Sequence, residues 1–369
     1  MTLHIDIHVL QSVPPSNLNR DDTGSPKTAT YGGVRRARVS SQAWKRAARR
    51  DFSQYLDVDQ LGVRTKRAVE LLTERLRQLS PELDAAKASA LAQRALEAAG
   101  LKVKAGRKAK DGDQPLTEYL VFFSNLQLDR LAEVAVSSSS DKVDAKQAKA
   151  ALTRGHSVDL SLFGRMVADD ANLNVDAACQ VAHAISTHAV ATEFDYYTAV
   201  DDRNPTEETG AGMIGTIEFD SATLYRYATI NVDALLRNLG DVEAAAQAVE
   251  AFVRSFATSM PTGKQNTFAN RTAPDAVVVM VREDRPVNMV GAFEEPVRSR
   301  NGYMAESCKA FAEYAAELDA AFGNPPADTW VTRVGGRTDA VASLGETVTF
   351  HELVRRAGER TRIVATEQP

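Results

Sequence analysis

Gln42, Lys45 and Arg49 fall at i, i+3 and i+7, so a helix through them sets an amide donor and two cations on one face. Such a stripe suits a polyanion, above all the phosphates of a nucleic-acid strand. Ser40 and Ser41, just upstream, are good N-cap residues for a helix beginning near Gln42. Its N-terminus would turn unpaired N–H groups and a positive dipole end to the same place, a natural phosphate site. Trp44, Ala47, Ala48 and Phe52 supply a face that packs toward a core, and Arg20, Lys27, Arg35, Arg36 and Arg38 extend the cationic track upstream. From Arg20 to Arg50 the local balance is +7, against −12 for the rest of a chain whose net charge is −5. A basic segment on an acidic body fits one electropositive groove on otherwise soluble faces. The plain alternative is a solvated basic helix face.

Two further groups carry weaker signals. Lys142, Lys146 and Lys149 are spaced to form one helical stripe, but Asp141 and Asp144 accompany them, so a solvent face with local ion pairs is the simpler reading. Phe163-Gly164-Arg165-Met166, Tyr196-Tyr197-Thr198 and Met213-Ile214 offer aromatic and apolar side chains of the kind that stack on or wedge between unpaired bases. Their ordinary explanation is core.

The enzymatic alternative is a metal-dependent nuclease built on His4, Asp6 and His8, which a strand would place on one face. Further ligands would be needed, and His183 and His188 would stand about 140° apart on a helix, too far round to share a face. Phosphate-loop, dinucleotide and nucleophile-elbow motifs are missing, and Gly263-Lys264 lacks the upstream glycine. Catalysis has little support, and no cofactor is called for.

The elements that must position these residues follow from periodicity. Leu3, Ile5, Ile7 and Val9 alternate with polar residues and predict a half-buried strand; a polar loop, Gln11 to Thr30, precedes a turn at Gly32-Gly33. From about Asp59 to Ala191 the composition predicts a helical insertion, with helices in Arg64–Leu79, after Ser80-Pro81 and in Leu116–Val136, and a helix stop at Gly100. Lys102–Asp113 and Ser137–Ser140 read as connectors, and Thr192 to Gly215 as a long loop or loose hairpin. Strands are expected at Thr216–Asp220, Leu224–Val232, Ala276–Arg282 and Pro286–Phe293. Helices are expected at Val242–Met260 and Ala305–Phe322, with a short one near the end. This pattern predicts an α+β sandwich, helices on one face of a mostly antiparallel sheet. With 369 residues, 44% of them hydrophobic, the chain can bury a sizeable core in two or three domains. MTLHIDIHVL lacks the features of a secretory signal, no apolar run reaches membrane length, and two cysteines fit a reducing cytoplasm.

Leu18-Asn19-Arg20-Asp21-Asp22, Gly32-Gly33, Val39-Ser40-Ser41-Gln42 and Lys45-Arg46-Ala47 closely resemble the CasC family, the backbone subunits of type I-E CRISPR effector complexes known as Cascade. The resemblance continues in family order at Gly164-Arg165-Met166, His183-Ala184-Ile185 with Thr187-His188, Thr198 to Asp202, Tyr225-Arg226-Tyr227-Ala228 with Asn231, and Gly263-Lys264-Gln265, and weakens in the helical insertion and after about Gly302. It implies a modified RRM-like (ferredoxin-like) palm at 1–58, 182–191 and 219–369, helical fingers at 59–181 and a thumb loop at 192–218. It further implies a non-catalytic protein whose copies stack head-to-tail on one CRISPR RNA beside other Cascade subunits, the thumbs displacing bases at intervals and leaving the rest to pair with target DNA. By the same resemblance Arg20, Lys27, Ser40, Gln42, Lys45, Arg49 and Lys264 contact the RNA backbone. Arg165 and Met166 form a finger wedge, and Tyr197, Thr198, Val200 and Ile214 act at the kink. Lys142, Lys146 and Lys149 fall on a stripe implicated in holding target DNA. Arg49 stands where the family has lysine, keeping the charge but changing the donor geometry, and Phe163 where it has a small residue. Such a head-to-tail contact need not close, so it builds a filament, and sequence is left to guide–target pairing.

Overall fold

The computed structural model describes residues 2–104, 114–138, 142–199 and 213–367. The chain divides into two units, one made of Met1–Asp51, Val181–Thr229 and Phe252–Ala357, the other of Phe52–Gln180, Ile230–Ala251 and Gly358–Pro369.

The first unit is built on a large mixed sheet. It opens with β1 (His4–Ser16), β2 (Thr28–Tyr31) and β3 (Val34–Val39), followed by helix α1 (Ser41–Asp51). The strands run in the order Glu346–Thr347, Asp328–Arg333, Ala276–Arg282, β1, Met213–Asn231, Ala184–Ser186, β3, β2. β1 pairs antiparallel with Ala276–Arg282, Ile7 opposite Val279, whereas Asp328–Arg333 and Glu346–Thr347 run parallel. Gly32 and Gly33 turn β2 into β3 with φ of 58° and 75°, the left-handed pair a two-residue hairpin turn requires. A side chain on Gly32 would strike the Glu294 carbonyl.

Both faces of β1 are buried, not one. Ile5, Ile7 and Val9 are fully covered, and His4, Asp6 and His8 nearly so. On the second face Leu10, Tyr225, Tyr227, Val278 and Val331 meet Met304, Cys308, Phe311 and Ala315 of the helix Met304–Phe322 in one apolar cluster. Side chains alternate along a strand, so Arg226, between the two tyrosines, projects to the opposite face, where Trp44 and Phe256 lie against it. The sheet is therefore covered on both sides here, and the expected one-sided layering fails.

Several element boundaries also differ. Thr216–Asp220 and Leu224–Val232 are parts of one strand, Met213–Asn231, and Ala276–Arg282 is found where expected. Pro286–Phe293 is not a strand. Pro286 has no N–H for a ladder, and Asn288 accepts from Val290 N–H and caps a 3-10 turn, Met289–Phe293. The expected Val242–Met260 and Ala305–Phe322 helices run Val242–Thr258 and Met304–Phe322. The short terminal helix extends over Phe350–Glu367. Ala184–Ser186, within the stretch that composition assigned to the helical insertion and the family resemblance to the palm (182–191), is a strand.

The second unit carries the helices Ala68–Leu79, Ala85–Ala98, Asn125–Ser137 and Ala145–Thr153. Leu72, Leu76, Ala92, Leu96, Phe123, Leu128, Leu131 and Leu152 are among the residues of their shared core. The helix expected from Arg64 begins at Ala68, because Arg64 and Thr65 pair with Phe122 and Val121 in a two-stranded ribbon. The same ribbon breaks the helix expected over Leu116–Val136, which starts only after Ser124; there a capping box with Gln127 closes its first turn. Gly100 ends Ala85–Ala98 with φ 95°. No helix among the described residues is long and apolar enough to cross a membrane.

Candidate nucleic-acid interface

α1 begins as its residues dictate. Ser40 is the N-cap, its Oγ accepting from Ala43 N–H, and Trp44 and Ala48 are buried beneath it. No acid stands in the first turn, and Arg49 and Arg50 close the last. Gln42 is exposed, and Lys45 and Arg49 are half-buried.

Backbone bonds gather the upstream cations around this helix. Asn19 Oδ1 accepts from Ser40 N–H at 2.8 Å, Lys27 N–H donates to the Asn19 carbonyl, and Arg38 N–H donates to the Lys27 carbonyl. Arg20 bridges antiparallel to Pro26. Between them Asp21 folds the loop on itself, its Oδ1 accepting from the N–H groups of Thr23 and Ser25. The Thr23 hydroxyl, which donates to the same oxygen, and then these N–H groups hold its carboxyl below the usual range. Asn17 Nδ2 ties the loop both to the Gly24 carbonyl and to the Glu218 carbonyl.

The result is an open groove of about 620 Å³, walled by Leu18 to Gly24, by Ala43, Arg46, Ala47 and Arg50 of α1, and by Met260 to Gly263. Arg20, Arg46 and Arg50 give it cations, and Asp21 and Asp22 share its rim. The face of α1 that lines it lies beside the Gln42–Lys45–Arg49 stripe, so Arg46 and Arg50 belong to the site and were missed. Their i, i+4 spacing, one turn apart beside Ala43 and Ala47, was the available signal. Gly263 is required, since a Cβ there would lie 2.3 Å from the Leu18 carbonyl oxygen. Lys264, half-buried, takes a left-handed φ of 49° to start Gln265–Phe268.

A smaller cleft of about 20 Å³ lies between Lys27, Arg38, Asn19 and Asp220. Burial pushes the Asp220 carboxyl up to about 6. Arg38 Nη1 meets His183 Nδ1 at 3.1 Å; burial and then the charges of Arg38 and Lys27 hold that imidazole below its usual range. Arg36, counted upstream as part of the track, is not in it. Its guanidinium is wholly buried and donates to the carbonyls of Tyr31, Ser186, Phe293 and Glu294.

In the stretch read as a loop or loose hairpin, the described arms Glu193–Ala199 and the start of Met213–Asn231 pair antiparallel, with Glu193 opposite Phe219 and Ala199 opposite Met213. Phe194 and Tyr196 are about two-thirds exposed, and Tyr197 about one-third. Thr198 is exposed opposite the backbone of Ile214. Val200 lies outside the described residues.

In the second unit Met166 projects 85% exposed from a turn. Gly164, φ 76°, makes that turn, and Arg165 N–H and carbonyl bond with Val175. Arg165, expected in the same wedge, does not share that exposure. It is buried, and it donates to the carbonyls of Leu173, Phe122 and Leu152 and to Gln127 Oε1, which leaves it a brace behind Met166. Phe163 stacks parallel on Phe52 at 6.1 Å. The lysine stripe is shorter than expected: Asp144 caps the helix Ala145–Thr153, so Lys142 precedes it, Lys146 is exposed, and Lys149 pairs with Asp170 at 2.8 Å.

His4, Asp6 and His8 share a face as expected, but that face is interior. Asp6 accepts from Tyr227 Oη and Val287 N–H, and burial raises its carboxyl to about 6. His8 bonds Tyr225 Oη at 2.9 Å beside Phe311, and burial drops it to about 3. Tyr225, Tyr227 and Phe311 pack around His8. Among the described residues, no group of three or more His, Cys, Asp or Glu is placed to hold a metal.

Residues 5–356 match the family described as "CT1975-like protein". Among solved structures, a chain of a "CRISPR RNA-guided surveillance complex, pre-nicking" is similar at 35% identity and TM-score 0.86, over 97% of this chain and 100% of that one. A chain of another "CRISPR RNA-guided surveillance complex" is similar at 31% identity and TM-score 0.77, over 97% and 99%. No curated protein matches.

Proposed function

The chain belongs to the CT1975-like protein family, and from that premise we propose that it is a non-catalytic backbone subunit of a CRISPR surveillance complex, of the CasC kind, that binds guide RNA. The observation carrying this reading is the groove lined by Arg20 and by Arg46 and Arg50 of α1. It offers cations to phosphates, which suits a strand whose bases pair elsewhere.

In this reading the first unit's sheet serves as the RRM-like palm (1–58, 182–191, 219–369), the 59–181 insertion as the fingers and the 192–218 hairpin as the thumb. Tyr197, Thr198, Val200 and Ile214 of the hairpin act where the strand kinks, and Met166 serves separately as the finger wedge. Lys142, Lys146 and Lys149 face target DNA. Copies join head-to-tail along the RNA, with other Cascade subunits ending the filament, in a type I-E complex of the cytoplasm. The heterologous contact needs no closure, and the length of the RNA sets the copy number.

Two alanine pairs test the claim, Lys45→Ala with Arg49→Ala and Arg46→Ala with Arg50→Ala. Each should weaken binding to single-stranded RNA of any sequence and flatten the salt dependence by roughly 0.7 per lost phosphate contact. Unchanged slopes in both pairs would remove the reading. Purification from cells should also bring down a small RNA with a common repeat-derived end.

A further inference from the structure

Arg226 is 1% exposed, and its guanidinium lies over the Trp44 ring, 3.7 Å from the centroid, and over Phe256 at 4.7 Å. Nη1 donates to Gln11 Oε1 at 2.6 Å and to the Ala257 carbonyl at 3.3 Å, and Nη2 donates to the Phe256 carbonyl. Those carbonyls belong to the last turn of Val242–Thr258, where a cation also meets the negative end of the helix dipole. Gln11 carries the linkage on: its Nε2 donates to Met260 Sδ and to the Thr272 carbonyl.

These contacts reach two of the three groove walls. Trp44 is the buried underside of α1, whose upper side presents Arg46 and Arg50, and residues 256–260 lead into the Met260–Gly263 wall. The third wall is held by other means, Asn19 to Ser40 on one side and Gly263 against the backbone of Asn17 and Leu18 on the other. One guanidinium thus closes the ring of contacts that sets the distance between α1 and the 260–263 segment. A buried cation with no carboxylate among its bonds is costly, and an apolar residue would serve packing alone better. Arg supplies what a hydrophobe cannot: a flat face for the indole together with donors for two helix-end carbonyls and an amide.

We infer that Arg226 is a positioning residue for RNA, setting the groove width through Trp44 and the Phe256–Ala257 carbonyls; this rests on the guide-RNA reading above. It touches no phosphate itself. Loss of the linkage lets α1 and the 260–263 wall separate, so fewer phosphates are held at once.

The test uses the full chain and labelled single-stranded RNA of mixed sequence, with affinity measured across salt concentrations. Thermal melts of each variant establish that it is folded at the assay temperature. Arg226→Met should weaken RNA binding about tenfold and flatten the salt slope by roughly 0.7. Arg226→Lys, which keeps the charge but not the fork, should recover only part of the affinity. Trp44→Phe, a milder change on the other partner, should flatten the slope in the same direction and add little on top of Arg226→Lys. A purely structural Arg226 would lower the melting temperature and leave the slope of folded protein unchanged, and that result overturns the inference. If Arg226→Met does not fold, unchanged slopes in Arg226→Lys and Trp44→Phe overturn it equally. Wild-type protein whose RNA binding ignores salt would sink the guide-RNA reading, and the positioning role with it.

Discussion

The ring of Tyr197 lies across Gly215, its partner in the opposing strand of the hairpin: a Cβ on residue 215 would stand 2.4 Å from Tyr197 Oη and 2.5 Å from Cζ. An aromatic covering a cross-strand glycine shields backbone that would otherwise be bare, and in return is held in one orientation. The glycine is what allows Tyr197 to lie down.

Gly215→Val should therefore push the Tyr197 ring off its seat and weaken RNA binding by a factor similar to Tyr197→Ala. The double variant should be no worse than either single one, because both remove the same seated ring. RNA affinities of the four proteins check this; additive losses would mean that the ring's seat is irrelevant to binding.

Lys149 is held by Asp170, whose carboxyl its hydrogen bond and charge keep below the usual range. In the proposed function a phosphate of target DNA has to compete with that carboxylate. Asp170→Asn, which can still accept the Asn172 N–H, should release Lys149 and raise affinity for target DNA a few-fold in the assembled complex, most at low salt. Lys149→Ala should lower it.

Arg165 braces the turn beneath Met166 with four bonds to buried acceptors. Arg165→Met removes these four bonds and should cost about 3 kcal/mol or more in denaturant unfolding. The salt slope of RNA binding should stay at the wild-type value, since this guanidinium faces the protein interior. A flattened slope with unaltered stability would reverse that assignment.

Asp220, pushed up to about 6 by burial, gives a signed pH dependence. The folded state holds its proton up to about pH 6 and the unfolded chain releases it near 4, so stability from this group falls as pH rises between those values and stays reduced above. Asp220→Asn should melt at a higher temperature than wild type at pH 8, and the difference should close on acidification below about 4. Melting curves across that range check the sign.

Lys264 adopts a left-handed φ of 49° next to Gly263. Lys264→Gly relieves strain of about 1 kcal/mol and should raise the unfolding midpoint. RNA binding should nevertheless weaken, and by more at low salt than at high, because a cation has been removed from the groove's edge.

Much of this was legible along the chain. The Gln42–Lys45–Arg49 stripe, the serine cap, the strand Ala276–Arg282 and the glycine turn at 32–33 are local matters, decided by spacing and by which residues tolerate a given φ. The family was legible for the same reason, through short motifs in a fixed order. What local spacing cannot supply is the partner. Arg36 stands one residue from exposed Arg35, yet its guanidinium ends on the Ser186 carbonyl, 150 positions away, because Ala184–Ser186 pairs beside β3. His4, Asp6 and His8 alternate as a metal site would, and only the packing of Tyr225, Tyr227 and Phe311 over them makes that face interior. Arg46 and Arg50 became groove residues when residues 260–263 arrived opposite α1. Charge and periodicity set what each side chain can do, while long-range pairing decides whether a cation meets a carbonyl of its own protein or is left to meet a phosphate.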